Sequence, residues 1–295
     1  MIIALTGSSG SLGTEITSFL KGLGHQIITI SSSIPGDGIS NFSYEELQLN
    51  LIKEPVDIFI HLASLNASLN NKNFDREVEL AKNVVSSLTF LQCKKIIFFS
   101  TAKVYGDNKF SQQIFLESSP LNPVCSYGKA KLVCEELILR HAKNLGISSI
   151  IFRLPPVLNE FDNSNLGRLM RFSKLGIPML SLTHGDFNKR SFLSFINIEK
   201  VLLAILGNPS LIKNNETYNL ADNDSISLNH LLRVHSKRNI VTLPKILSRL
   251  LIKIPILKNI LVKLYGNFLL DNSKLQKAMG VKLNTTEQSL TVIRK

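Results

Sequence analysis

From Ser225 to Leu270 the chain contains no aspartate or glutamate, although Arg233, Lys237, Arg238, Lys245, Arg249, Lys253, Lys258 and Lys263 all fall there. That gap concentrates a formal charge of +12 and raises nucleic acid, a membrane surface or anionic small molecules as partners. Zinc-finger, RNA-recognition and basic-zipper patterns are also missing, so no nucleic-acid partner is expected. Only three cysteines occur, Cys93, Cys125 and Cys134. Scattered, odd in number and without ligand spacing, they exclude a disulfide framework and a zinc site, so no metal is expected and a reducing cytoplasm is the expected location. Apolar runs stop far short of the roughly 18–20 residues of a membrane span. No basic segment precedes the first apolar run, so no signal peptide is expected. Within LPKILSRLLIKIPILKNILVKLYG, Pro255 interrupts any single amphipathic helix. The stretch reads as cap helices with lysines toward water, with weak association with an anionic membrane surface as the sharper alternative.

What remains is a globular composition, 295 residues and 44% hydrophobic. IIAL leads into Thr6-Gly7-Ser8-Ser9-Gly10-Ser11-Leu12-Gly13, then a helix-periodic GTEITSFLKGLGH and a second apolar run, HQIITIS. Strand, glycine turn, helix and strand make the opening unit of a dinucleotide-binding sheet: the glycines allow a tight turn and close backbone approach to a pyrophosphate, and the helix start offers N–H groups to it. The pattern continues with strands at VDIFIHLAS and KKIIFFST, a helix over roughly 74–91 between them, and a strand in SSIIFRLPPV. Strands alternating with helices predict an α/β fold, a doubly wound parallel sheet with the site at the strands' C-terminal ends. RSFLSFINIEKVLLAIL reads as a strand and helix returning to the core, and ETYNLAD as a last strand.

SYGKAK precedes a long helical pattern, and Tyr127 and Lys131 are four residues apart, hence on one face about a turn apart. A phenol with a pKa near ~10 is a poor acid or base at neutral pH, and a neighbouring ammonium favours its ionised form. Taken alone, such a pair is ordinarily two solvated side chains.

In order along the chain, TGSSGSLG, HLAS, STAKVYG, SYGKAK, RLPPV, NKRSFLSFINI, YNLAD and DNSKLQKAMG resemble the landmarks of the extended short-chain dehydrogenase/reductase family, also called the NAD-dependent epimerase/dehydratase family. The resemblance spans essentially the whole chain. It implies an NAD(P)-binding Rossmann domain over 1–157, its core completed by about 188–222, with a small, mostly helical substrate-binding region in 158–187 and 223–295. Thr101, Tyr127 and Lys131 become the catalytic set: Tyr127 exchanges a proton with the substrate oxygen, Thr101 hydrogen-bonds that oxygen, and Lys131 holds the nicotinamide ribose and acidifies the phenol. Gly7, Ser9, Gly10, Ser11, Leu12 and Gly13 cradle the pyrophosphate. Ser31, Ser32, Leu62, Ala63, Ser64, Ser100 and Pro155 complete the cofactor site with Tyr127 and Lys131. Arg190 and Asn165, together with Thr101, contact a nucleotide-sugar substrate, the arginine through the diphosphate. A homodimer through the helix carrying SYGKAK and the helix before KKIIFFST is implied as well.

Departures from the family pattern refine this. ITISSS ends the second strand without an acidic residue for an NAD ribose, so NADP(H) is placed ahead of NAD(H). Glu79 occupies a usual asparagine position. Ala102 and Lys103 stand where dehydratases carry Asp-Glu, which removes 4,6-dehydration. The remaining expectation is an NAD(P)H-dependent reductase of a 4-keto-6-deoxy UDP-sugar in surface-polysaccharide precursor synthesis. The alternatives are a UDP-sugar 4-epimerase with tightly bound NAD and a non-catalytic dinucleotide-binding sensor or scaffold.

Overall fold

The structure is a computed structural model and describes residues 1–31, 41–49, 52, 54–65, 74–109, 111, 113–159, 165–175, 179–181, 189–213, 215–236, 240–242 and 266–293. It opens with β1 (Ile2–Thr6), α1 (Ser11–Gly22), β2 (Gln26–Ser31), β3 (Asn41–Ser43), α2 (Tyr44–Gln48), β4 (Ile58–His61), α3 (Phe74–Phe90) and β5 (Lys95–Thr101). A 3₁₀ turn (Ala102–Tyr105), β6 (Ile114–Phe115), α4 (Ser126–Leu145), β7 (Ser148–Leu154), α5 (Asn165–Lys174), β8 (Met179–Ser181) and β9 (Lys189–Ser191) follow. The chain continues through α6 (Phe195–Gly207), β10 (Glu216–Asn219), β11 (Ser225–Ser227), α7 (Leu228–Ser236), β12 (Ile240–Thr242), β13 (Leu269–Leu270), α8 (Ser273–Met279) and α9 (Thr286–Ile293).

Seven strands form one sheet in the order β10-β7-β5-β4-β1-β2-β3, and β1 pairs in parallel with both β2 and β4, as β4 does with β5. The sequence order reverses between β1 and β4, so two loops diverge at the β1 C-terminal end, where doubly wound sheets bind ligands. The strands are continuous apolar runs because both faces are covered: β4 is buried throughout, and β5 from its second residue. Helix α3 contributes Ala81, Val84, Val85 and Leu88 to the core, and α4 contributes Cys134, Ile138 and Ala142. Both stripes have the three-and-four spacing of a helix face, and both carry charge within it: Glu77 on α3, Lys131 and Glu135 on α4.

The chain divides into two compact units. The first comprises Met1–Val104, Pro123–Arg153 and Leu203–Tyr218, and holds the sheet with its flanking helices. The second comprises Tyr105–Asn122, Leu154–Leu202 and Asn219–Lys295, and is built from two-stranded pairings: β9 with β11, β8 with β12, β6 with β13. RSFL does not return to the large sheet. Its first residues are β9, antiparallel to β11, while Leu193 bridges Val157. The second unit is locked around Asp222, whose Oδ1 accepts from Ser194 N and Oγ, both at 2.8 Å, and from Asn197 Nδ2 at 2.7 Å. The basic stretch of residues 243–265 lies outside the described residues, as does Ser32.

Candidate active site

At the C-terminal end of β1 the backbone turns sharply. Gly7 has φ +77°, and a Cβ on Gly13 would lie 1.9 Å from the Gly7 carbonyl oxygen, so this loop closes onto α1 only with hydrogen in that place. Helix α1 begins after Gly10, which supplies no side-chain cap, and a helix start without one presents its first N–H groups to an anion. Ser9, Gly10 and Ser11 are exposed there, Gly7 and Leu12 partly buried, and Gly13 buried. Beneath the loop, Thr6 Oγ1 and His61 Nδ1 are 2.7 Å apart. Burial, then the nearby Lys131 charge, holds His61 well below the usual histidine range, so it ties β1 to β4 as a neutral ring stacked on Phe98. Ser31 closes β2, partly buried.

The ends of β4 and β5 and the start of α4 bring the proton-handling groups together. Lys131 is 1% exposed and its Nζ lies 3.0 Å from Glu77 Oε1, itself 2% exposed. The ammonium also sits 4.8 Å above the Phe98 ring centroid, a favourable place for a buried cation. Glu77 accepts two further hydrogen bonds, from Ser64 Oγ at 2.9 Å and from Leu65 N at 2.8 Å. Lys131 and Glu77 both act on the Tyr127 phenol. Burial pushes the phenol above its ordinary value; Lys131 pulls it down, Glu77 pushes it up again, and the net shift is upward. The sequence-based expectation that Lys131 acidifies Tyr127 therefore describes one contribution, which desolvation outweighs. Burial pulls the Lys131 ammonium down, but Glu77 and then Tyr127 counter it and the net shift is again upward.

Thr101 and Ser100 separate by strand alternation. Ser100 donates to Glu135 Oε1, which with Oε2 also receives Arg153 Nε, while Arg153 Nη2 lies 2.7 Å from Oε2. Thr101 is 8% exposed, and its Oγ1 accepts from Lys103 N at 3.2 Å, leaving its own hydrogen available to a second acceptor. Leu62 and Ala63 are partly buried beside the glycine loop; a Cβ on Gly7 would stand 2.6 Å from Ala63 N.

Three of the expected site residues belong to the second unit. Pro155 is buried just after β7, and Asn165 is the first residue of α5. Arg190 sits in β9, partly buried, with Nε donating to Gly266 O at 3.1 Å, and burial lowers its guanidinium to about 10. It remains a cation at neutral pH.

The pattern of the NAD dependent epimerase/dehydratase family matches residues 3–221. The chain belongs to that family. Curated relatives include UDP-glucuronic acid decarboxylase 1 of Xenopus tropicalis, 27% identical over 188 residues, 57% of this chain and 44% of the relative. The UDP-glucose 4-epimerase of Lacticaseibacillus casei is 25% identical over 183 residues, 57% of this chain and 55% of the relative. The chain thus spans about half the length of the curated relatives it matches. Over its full length the fold is similar to the UDP-N-acetylglucosamine 4-epimerase of Bacillus cereus, at a TM-score of 0.73 and 21% identity with 100% of both chains covered.

Within this epimerase/dehydratase family member, the residue missed by sequence reasoning is Glu77. The resemblance places Glu79 at a usual asparagine position of the family; the α3 carboxylate that meets Lys131 is Glu77. Glu79 is 60% exposed and lies 3.3 Å from Lys82. A signal for Glu77 was present: it precedes Ala81, Val84, Val85 and Leu88 on the apolar stripe, and a carboxylate there must meet a partner on the neighbouring helix. Among the described residues no group of His, Cys, Asp and Glu is placed to hold a metal, and no helix is long and apolar enough to cross a membrane.

Proposed function

We propose that this family member is an NAD(P)H-dependent nucleotide-sugar reductase acting on the 4-keto group of a 4-keto-6-deoxy UDP-sugar, in the synthesis of surface-polysaccharide precursors. The observation that carries the reading is Tyr127 as a phenol held beside the Lys131–Glu77 pair, with its ionisation shifted upward. A group in that state gives a proton to an oxygen as the carbon beneath it is reduced. The glycine loop fits a dinucleotide: a Cβ on Gly13 would collide with the loop's own backbone, and the α1 N-terminus lacks a side-chain cap. When bound, a nicotinamide dinucleotide supplies the hydride. Tyr127 donates the proton, Thr101 hydrogen-bonds the same substrate oxygen, and Lys131 orients the ribose. Arg190, with its planar guanidinium, and Asn165 hold the substrate diphosphate. Ala102 and Lys103 provide no acid–base pair for eliminating water. NADP(H) is favoured over NAD(H) because β2 ends at Ser31 without a carboxylate for the ribose. A homodimer through α3 and α4 in the cytoplasm completes this reading.

A UDP-sugar 4-epimerase with tightly bound NAD is the second reading, and the similarity to a UDP-glucose 4-epimerase and to the solved UDP-N-acetylglucosamine 4-epimerase favours it. Incubation of the purified protein with a 4-keto-6-deoxy UDP-sugar and NADPH or NADH separates the two. Stoichiometric cofactor oxidation is the expected result. Epimerisation of a UDP-hexose without net cofactor change would overturn the reductase.

A further inference from the structure

Beside the candidate site three elements meet at one carboxylate. Glu77 Oε1 accepts from Ser64 Oγ at 2.9 Å and lies 3.0 Å from Lys131 Nζ, while Oε2 accepts from Leu65 N at 2.8 Å. Ser64 and Leu65 follow β4, and Lys131 sits in the second turn of α4. Glu77 itself belongs to α3, and its backbone oxygen accepts from Cys134 Sγ of α4 at 3.6 Å. Only 2% of the Glu77 side chain and 1% of the Lys131 side chain are exposed. Water therefore cannot stand in for either partner.

The segment after β4 is pinned at its other end as well. Ala63 N donates to Thr6 Oγ1 at 3.4 Å, and a Cβ on Gly7 would stand 2.6 Å from Ala63 N. The backbone at residue 63 thus lies against the glycine loop. A continuous path runs from that loop through Ala63, Ser64 and Leu65 to Glu77, and from Glu77 to Lys131. A carboxylate suits the junction because it only accepts, and because an ammonium buried without an opposite charge is strongly destabilising. That ammonium carries three hydrogens. Glu77 takes one and the Phe98 ring lies 4.8 Å away, which leaves two for oxygens that a ligand brings.

We propose that Glu77 is a positioning residue for cofactor binding: it holds the Lys131 ammonium and the Ser64–Leu65 segment in register, so that the nicotinamide half of a dinucleotide meets both. This rests on the cofactor roles given above to Lys131 and to residues 62–64, and adds the group that sets them relative to each other. The glycine loop offers its backbone to the pyrophosphate with or without Glu77. What the carboxylate contributes is confined to the nicotinamide side, where Lys131 takes the ribose. A glutamine has the same size, but it brings one accepting oxygen for three donors and no charge. Released from Glu77, the ammonium is left to act on the other titrating group of its own helix face, Tyr127, one turn before it.

The test compares two ligands by calorimetry on the free protein: NADPH or NADH, which carries the nicotinamide ribose, and ADP, which lacks it. In Glu77→Gln the dissociation constant of the reduced dinucleotide is expected to rise about 10- to 100-fold, the effect of losing one hydrogen bond to a charged group. The ADP constant is expected to stay where it is, whereas a change that merely loosens the fold weakens both ligands alike. A second readout needs no ligand. The Tyr127 titration, followed by tyrosinate absorbance as the difference from the same protein carrying Tyr127→Phe, is expected to move to lower pH by about one to three units in Glu77→Gln, the usual effect of a close unbalanced opposite charge. Circular dichroism establishes that the variant is folded. Unchanged dinucleotide binding, equal weakening of both ligands or an unmoved titration overturns the proposal, as does a wild-type protein that binds no reduced dinucleotide. Where Glu77→Gln fails to fold, Glu77→Asp keeps the charge and withdraws it by one methylene. It is expected to weaken the dinucleotide alone, and weakening of both ligands or of neither overturns the proposal. A wild-type protein that binds the dinucleotide without reducing a 4-keto-6-deoxy UDP-sugar loses the reductase reading and leaves this one standing.

Discussion

Helix α4 carries two buried ion pairs one turn apart. Lys131 meets Glu77 of α3 at 3.0 Å, and Glu135 meets Arg153 of β7 at 2.7 Å. Burial is similar, yet the pairs are built differently. Glu135 is enclosed: the Arg153 Nε reaches both carboxylate oxygens, Nη2 reaches one, and Ser100 fills the remaining acceptor site. Its partners are a guanidinium that stays protonated and a serine with no link to a titrating group. Glu77 has one point-charge partner, Lys131, which also acts on Tyr127. The first arrangement fixes α4 onto the sheet, and the second transmits charge to a phenol. Burial of an ion pair alone does not mark a functional residue; the third group in contact with it does.

Substitution at Tyr127 probes that distinction with the largest effect. Tyr127→Phe removes the group proposed to exchange a proton with substrate, and turnover is expected to fall about 10²- to 10⁴-fold. The fold is expected to be unchanged by circular dichroism. Ser100→Ala is the matching change at the other pair. It removes one hydrogen bond to a charged group, a cost of about 1.5–3 kcal/mol in urea unfolding, and leaves the pH dependence of turnover in place. A shifted pH profile in Ser100→Ala would mean that the two pairs are not separate.

Arg153→Ala sharpens the contrast from the stability side. It strands Glu135 without its cation in the core, and uncompensated burial of a charge costs about 3–5 kcal/mol. Urea unfolding of the free protein measures this loss. The surviving folded fraction is expected to keep the wild-type pH dependence, because Glu135 is not among the groups that act directly on the phenol.

Where sequence and structure agree, the cause is local repetition. β1, the glycine loop and α1 were legible because an apolar run, glycines at fixed offsets and a helix period follow one another directly. The family pattern matches across the same region. The second unit was not legible in the same way. β6, β9 and β13 are two or three residues long, and each pairs with a partner distant in sequence, so no run is long enough to show alternation. β3 and α2 were missed despite a readable signal: Ser43 and Glu46 form a capping box, with Ser43 Oγ accepting from Glu46 N and Glu46 Oε2 from Ser43 N. In the site, the residue types at 101, 127 and 131 could be read from the sequence. Protonation could not, because it depends on burial and on the Lys131–Glu77 pair, whose carboxylate comes from another helix.

The smallest expected effect concerns Glu79, which the resemblance places at a usual asparagine position. Glu79 and Glu77 are neighbours on α3 and chemically identical. Glu79 is 60% exposed, and its contact with Lys82 at 3.3 Å is a solvent-facing pair of the i,i+3 type, a class contributing about 0.2–0.5 kcal/mol. Glu79→Gln is therefore expected to change the urea midpoint by no more than this and to leave the Tyr127 titration where it stands. Glu77→Gln, two residues earlier, moves that titration by about one to three units. Were both substitutions to move it equally, the coupling would be a general effect of α3 charge on the site. Because Glu79 faces water, where its charge is screened, a response confined to Glu77 means that the signal runs through the buried contact with Lys131.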